Sequence, residues 1–236
     1  MAAVTLLEAR ALTRHFGGLR AVDGVDFDLA QGEIHALIGP NGAGKTTFVS
    51  LLCGRIPVQS GSIRFAGQDI TRLPAHRRVR IGIAYTFQIT AIYARLTVRD
   101  NIALAVQSRG AANLAAETMA ALDRVGLAAR ADMLAGELSY GHQRLLEVAM
   151  GLALRPRLLI LDEPTQGLAN SEIDAFKDLV RGVVPEMTVL LIEHNMDVVM
   201  DLAQRITVLN FGQVLATGTP DQIRANPAVQ SAYLGG

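Results

Sequence analysis

The chain has 236 residues, of which 50% are apolar, 19% charged and 5% aromatic, with no Trp. Twenty-two Lys and Arg balance 22 Asp and Glu, so the formal net charge is zero, and the mean hydropathy is +0.28. This aliphatic content can bury a sizeable core, excludes a disordered chain, and, without a basic excess, argues against a dedicated nucleic-acid binder.

Zero net charge covers an asymmetry. Residues 1–118 hold 13 basic and 8 acidic residues, a balance of +5, whereas residues 119–236 hold 9 and 14, a balance of −5. Ordinary fluctuation is the plain reading, and opposite-sign surfaces on the two halves are the alternative. Apolar runs such as Val189-Leu190-Leu191-Ile192 fall far short of the roughly 18–20 residues that span a bilayer. Met1 to Leu7 carries no basic segment, and Glu8 and Arg10 interrupt the apolar run, so no signal peptide is expected. The single cysteine, Cys53, suits a reducing cytoplasm.

In chain order, Gly17-Gly18 marks a turn, and Val22, Val25 and Phe27 alternate with Asp23, Asp26 and Asp28 as in a half-buried strand. Ile34 to Ile38 is a short apolar run of the kind that forms a buried parallel strand. A Gly-rich loop follows from Gly39 to Gly44, then a predicted helix from Lys45 to Cys53, ended by Gly54 and Pro57. Gly61 to Gly67 predicts a small hairpin, and Ile81 to Phe87 a strand. Helices are predicted at Val98–Ser108, Ala112–Val125 and Tyr140–Leu154. Strands return at Leu158–Leu161, Thr188–Ile192, Ile206–Leu209 and Val214–Leu215. A helix over Ser171–Val184 is expected to start on a Ser171-x-x-Asp174 capping box. Strand, loop, helix and strand in that order predict βαβ units and a parallel sheet, interrupted by a helical insertion.

Gly39-Pro40-Asn41-Gly42-Ala43-Gly44-Lys45-Thr46-Thr47 fits the phosphate-loop pattern. Glycines let the backbone aim successive N–H groups at phosphate, and the following helix adds its positive end. In that pattern Lys45 reaches the β/γ-phosphates and the Thr46 hydroxyl ligates Mg²⁺. Leu158-Leu159-Ile160-Leu161-Asp162-Glu163-Pro164 brings two carboxylates to the end of a buried strand, where α/β sheets bind ligands. Asp162 can hold Mg²⁺, and Glu163 can orient the attacking water. These two elements predict a nucleoside triphosphatase.

Further residues resemble the ATP-binding cassette (ABC) ATPases. Leu138-Ser139-Tyr140-Gly141-His142-Gln143 looks like their signature segment, usually Leu-Ser-Gly-Gly-Gln. Gln88 resembles the Q-loop glutamine, His194 the switch histidine, and Phe16 the aromatic that stacks on adenine. The elements keep the family order over nearly the whole chain.

The resemblance implies a P-loop (RecA-like) α/β core with an N-terminal antiparallel β part. It divides the chain into residues 1–88 and 156–236, the nucleotide-binding core with a C-terminal helical tail, and residues 89–155, a helical signature subdomain. It implies Glu163, His194 and Gln88 as catalytic residues, and Gly39, Asn41, Gly42, Gly44, Lys45, Thr46 and Thr47 on the phosphates. Thr46, Gln88 and Asp162 would hold Mg²⁺. Ser139, Tyr140, Gly141, His142 and Gln143 would face the ATP of a second subunit paired head to tail, identical or not.

Tyr140, Gly167-Leu168-Ala169, Asn195-Met196 and Ala232-Tyr233-Leu234-Gly235 resemble the ATPases of branched-chain and hydrophobic amino acid importers. Urea and amide importers share many of these cues. This reading implies two integral-membrane permeases, bound through residues between Gln88 and Leu138, and indirectly a solute-binding protein outside the inner membrane. The chain would then lie peripherally on the cytoplasmic face. His142, Asn170 and Met150 depart from the commoner family residues, Gln, Asp and Arg. A non-transport ABC ATPase and a non-hydrolysing scaffold are the alternatives. The lack of paired cassettes, zinc-spaced cysteines or a basic run speaks against the first, and Glu163 with His194 against the second.

Overall fold

The structure is a computed structural model, and it describes residues 4–86, 91–184 and 186–234. Two sheets organise the described residues. The first runs β2–β1–β4–β5 and is antiparallel, built from β1 (Thr5–Phe16), β2 (Leu19–Ala30), β4 (Ser60–Phe65) and β5 (Gln68–Asp69). The second is six-stranded, in the order β10–β9–β3–β8–β7–β6. Its strands are β3 (Ile34–Ile38), β6 (Ile83–Tyr85), β7 (Leu158–Asp162), β8 (Thr188–Ile192), β9 (Arg205–Asn210) and β10 (Gln213–Gly218). All its pairings are parallel except the β9–β10 hairpin.

Nine α-helices accompany the sheets among the described residues. They are α1 (Lys45–Leu52), α2 (Ala75–Arg80), α3 (Val98–Ser108), α4 (Leu114–Arg124), α5 (Tyr140–Ala153), α6 (Asn170–Val183), α7 (Met196–Leu202), α8 (Pro220–Arg224) and α9 (Pro227–Leu234).

Every residue of β3, β7 and β8 is buried. The period-two pleat explains why these strands read as unbroken aliphatic runs. Leu158 and Ile160 pack with α1 and the first sheet, while Leu159 and Leu161 pack with α5 and α6 on the other face. A third cluster joins Ala36 and Ile38 of β3 to Val199, Ile206, Val208, Ile223 and Val229, so α7, α8 and α9 cover the β3–β9 side.

The α/β architecture and the strand–helix order agree with the sequence reading, with local corrections. The Ile81–Phe87 strand reduces to Ile83–Tyr85, because Ile81 and Gly82 end a helix, α2, that the sequence reading missed. Phe87 lies outside the described residues. The Ser171-x-x-Asp174 capping box does not form. Helix α6 begins one residue earlier, after Ala169, and Glu172 accepts from the Ala169 N–H at 2.8 Å. Ala169 has no side-chain oxygen, so the capping contribution comes from the first-turn carboxylate alone.

Candidate functional site

Strands β3, β8 and β7 are neighbours and point the same way, so the loops after their carboxyl ends share one edge of the sheet. β3 leads into the phosphate loop, β7 into Asp162-Glu163, and β8 into Glu193-His194. Ligands in open α/β sheets bind at this edge.

Glycines shape the loop. Gly39 has φ +153 and Gly44 φ +100, and a Cβ at either position would lie 2.2 Å from the Leu209 carbonyl oxygen or 2.1 Å from that of Ala21. Gly42 has φ +78 and open space where a Cβ would stand. The loop is therefore pressed against β2 and β9 on one side and open on the other. Gly212, in the β9–β10 turn, donates its N–H to the Ala43 carbonyl at 3.0 Å. Lys45 is buried and reaches back over the loop, donating to the carbonyls of Gly39 (2.6 Å) and Pro40 (3.0 Å). Burial pulls its ammonium pKa below the ordinary lysine value, against the attraction of Glu163 and Asp162. Asn41, Gly42, Gly44, Lys45, Thr46 and Thr47 line one cavity of about 290 Å³ together with Glu163 and His194. The leading N–H groups of α1 have no partner within the helix, so this end can receive an anion.

Glu163 has φ +50, the left-handed region, which is unfavourable for a side chain other than glycine. Its N–H bonds the Ile192 carbonyl at 2.8 Å, and its carboxylate bonds His194 Nε2. Glu193 is buried behind them. It accepts from the Thr165 N–H (2.9 Å) and hydroxyl (2.5 Å) and from the N–H groups of His194 (2.9 Å) and Asn195 (3.1 Å). The loops after β7 and β8 are thus tied together, which holds His194 next to Glu163. Asp162 is 3% exposed and accepts a hydrogen bond from the Tyr85 hydroxyl at 2.6 Å. Burial raises its carboxyl pKa, while the Tyr85 bond pulls the other way.

Phe16 ends β1 and is 45% exposed, so it is not a core residue, and the Arg14 guanidinium covers one face of its ring at 4.8 Å. Gln88 lies outside the described residues. The signature segment stands elsewhere on the chain, at the start of α5. Ser139 caps the helix, accepting from the His142 N–H at 3.3 Å, and its hydroxyl also bonds His142 Nδ1 at 2.7 Å. Gln143 donates to the Leu138 carbonyl at 2.9 Å. Tyr140 lies over Gly167, where a Cβ would sit 2.7 Å from the ring, and Gly141 abuts the Glu172 carboxylate. Among the described residues, no hydrogen bond joins this segment to the phosphate loop of the same chain.

Three polar features of the site escaped the sequence reading: Tyr85 on Asp162, Glu193 beneath His194, and the buried Arg144–Glu147 pair at 2.7 Å. An i,i+3 charge pair inside an otherwise aliphatic helix is the sequence signal that could have revealed the last.

A family model described as ABC transporter matches residues 22–166, and one described as branched-chain amino acid ATP-binding cassette transporter matches residues 213–236. The chain is 42% identical over 249 residues to the high-affinity branched-chain amino acid transport ATP-binding protein BraF of Pseudomonas aeruginosa, covering 98% of each protein. It is 39% identical, with 98% of each covered, to the corresponding protein LivG of Escherichia coli K12. Its fold matches the ADP conformation of MJ1267, an ATP-binding cassette of an ABC transporter, with a TM-score of 0.89, 26% identity, and 99% and 100% of the two chains covered. With a phosphate loop, an acidic strand end and a histidine meeting at one sheet edge, and with these matches, the chain belongs to the ABC transporter ATP-binding family.

Proposed function

We propose that the chain is the ATP-hydrolysing subunit of an importer of branched-chain or other hydrophobic amino acids. The observation that carries this reading is the meeting of Lys45, Glu163 and His194 around one cavity. The branched-chain match of residues 213–236 and the names of BraF and LivG support the choice of solute.

The family resemblance and the arrangement of the described residues support the following roles. Gly39, Asn41, Gly42, Gly44, Thr46 and Thr47 cradle the phosphates with backbone and hydroxyl donors, and Lys45 exchanges its carbonyl partners for phosphate oxygens. Phe16 offers its ring to the adenine. Glu163 accepts the proton of the attacking water, and His194 orients both that water and the carboxylate. Catalysis is then positioning plus charge stabilisation. Thr46 and Asp162 offer the hard oxygen donors that suit Mg²⁺, and Gln88, outside the described residues, would add a third. When bound there, that ion neutralises phosphate charge. Residues 1–88 and 156–236 form the nucleotide-binding core in this reading, and residues 89–155 the signature subdomain.

Two chains, identical or not, pair head to tail. Ser139 to Gln143 then complete the partner's nucleotide site with the N-terminus of α5, which is free of the chain's own phosphate loop. Two integral-membrane permeases dock on the helical segment. An apolar groove of about 340 Å³ lined by Val79, Tyr93, Leu104, Met150 and Leu154 supports this placement. The three most exposed of these residues are Val79, Tyr93 and Leu104. No described helix is long and apolar enough to cross a membrane, so membrane attachment on the cytoplasmic face rests on the permeases. A solute-binding protein outside the membrane delivers the amino acid indirectly.

The test is co-purification from detergent extracts, followed by reconstitution with the captured permeases, any captured second ATPase subunit and the solute-binding protein. ATP-dependent uptake of leucine into proteoliposomes is expected. A chain that hydrolyses ATP yet never associates with hydrophobic permeases overturns the importer reading.

A further inference from the structure

The backbone of Glu163 is held from three directions. Its N–H is tied to β8 through the Ile192 carbonyl. Its carbonyl accepts from the Gln166 N–H at 3.2 Å and from Arg144 Nη2 at 3.2 Å. Arg144 belongs to α5, the helix capped by Ser139 of the signature segment, and stands five residues beyond that cap. Its other terminal nitrogen, Nη1, bonds Glu147 Oε2 at 2.7 Å. Arg144 is 1% exposed and Glu147 5%. A buried ion pair of this kind is weak evidence of stabilisation, since packed apolar residues of similar volume often serve the fold as well or better. Its position suggests another reason. The guanidinium fork spans from the signature helix to the one residue of the acidic strand end that sits at positive φ. A residue in that conformation persists only where its surroundings over-determine it.

We infer that Arg144 is a positioning residue for the Glu163 carboxylate, and that it links the signature segment of the chain to its own hydrolytic site. The inference rests on the reading proposed above, in which Ser139 and Gly141 face the nucleotide of a second subunit. One α5 helix then touches one nucleotide at its N-terminus and orients, through Arg144, the carboxylate that acts on the other. Movement of the helix start on nucleotide contact carries the guanidinium with it. The carbonyl it holds belongs to the residue whose side chain activates water. Occupancy of one site is thereby passed to the geometry of the other through Arg144.

Arg144→Lys tests this. An ammonium can pair with Glu147, but it lacks the planar fork that reaches two acceptors in fixed directions. The expected result is a fall in kcat of about 10- to 100-fold, with the affinity for a non-hydrolysable ATP analogue within about twofold of the parent, and a Hill coefficient for ATP falling toward one. The double variant Arg144→Met/Glu147→Leu removes both buried charges together, so neither is left stranded. It is expected to melt close to the parent temperature while losing the same turnover and cooperativity. Either variant folding stably and hydrolysing ATP with parental kcat and Hill coefficient overturns the inference. So does a loss of kcat matched by an equal loss of analogue affinity. Glu163→Gln, measured alongside, separates the two levels. If that variant turns over normally, the assignment of Glu163 itself fails. If it is inactive but still binds ATP while Arg144→Lys is normal, only the role of Arg144 fails.

Discussion

The Tyr85 hydroxyl donates to Asp162 Oδ2 at 2.6 Å, joining the end of β6 to the end of β7. Register explains the meeting. Tyr85 pairs with Ile160, and Asp162 lies two residues further along the same strand, on the same face. The Arg55 guanidinium lies 5.3 Å over the Tyr85 ring and fixes it from the other side. The phenol stays protonated, because burial and the adjacent carboxylate both push its pKa upward.

Tyr85→Phe removes this donor and releases the carboxylate from its fixed rotamer. The Mg²⁺ concentration for half-maximal ATPase should rise several-fold, on the order of the 0.5–1.5 kcal/mol that a net hydrogen bond contributes. Nucleotide affinity without the metal should be unchanged. A Mg²⁺ titration with parental midpoint removes Tyr85 from metal positioning.

Asp162 itself predicts a pH-dependent stability effect. Burial raises its carboxyl pKa above the unfolded value of 3.8, so the folded chain binds that proton more tightly than the unfolded one. Ionised Asp162 is consequently a cost to the fold. The cost is absent below pH 3.8 and grows as pH rises through the raised folded value. Asp162→Asn should melt higher than the parent at pH 7–8 without nucleotide, by roughly 2–4 °C for each kcal/mol released. The advantage should shrink as the pH approaches about 4. Thermal melts across that range decide it, and a variant that melts lower at pH 7 contradicts the sign.

Glycine geometry separates two loop positions. A Cβ at Gly44 would collide with the Ala21 carbonyl oxygen, 2.1 Å away, at φ +100, whereas a Cβ at Gly42 meets nothing within 4 Å. Gly44→Ala should destabilise by about 1–3 kcal/mol through strain and overpacking and should weaken ATP binding. Gly42→Ala should cost only about 1–2 kcal/mol from its positive φ. Melting curves and fluorescent-nucleotide titrations should rank Gly44→Ala as the worse in both.

Arg78 is 1% exposed and donates to the carbonyls of Leu51, Leu52, Ile70, Thr71 and Leu73. Two of these, Leu51 and Leu52, are the final residues of α1, so the cation also answers the negative end of that helix. Burial pulls its guanidinium pKa down to about 10. Arg78→Met should destabilise by about 3–5 kcal/mol, because several carbonyls lose their donor in an apolar setting. Chemical denaturation measures this directly. A loss under about 1 kcal/mol would show that water replaces the guanidinium.

The sequence alone determined the class of chemistry. A buried aliphatic run followed by a Gly-rich loop, Lys45 and Thr46, and a second run ending in Asp162-Glu163, are local patterns whose physics is local. Glycines permit the loop, and alternate faces of the pleat consume the aliphatics. Only the tertiary structure decided what holds those groups. Thr165 on Glu193, Tyr85 on Asp162 and Arg144 on the Glu163 carbonyl join residues 28, 77 and 19 positions apart. The first two pairings depend on the strand order β8–β7–β6 and the third on the packing of α5 against β7, and no local pattern encodes either. The same limit explains the missed α2. Arg78 serves as a buried donor there only because α1 and the turn after β5 converge on it, and in sequence it reads as one of three surface arginines. Hydrophobic periodicity is carried by neighbours along the chain, whereas the satisfaction of buried polar groups depends on which distant carbonyls and carboxylates folding brings within hydrogen-bond reach.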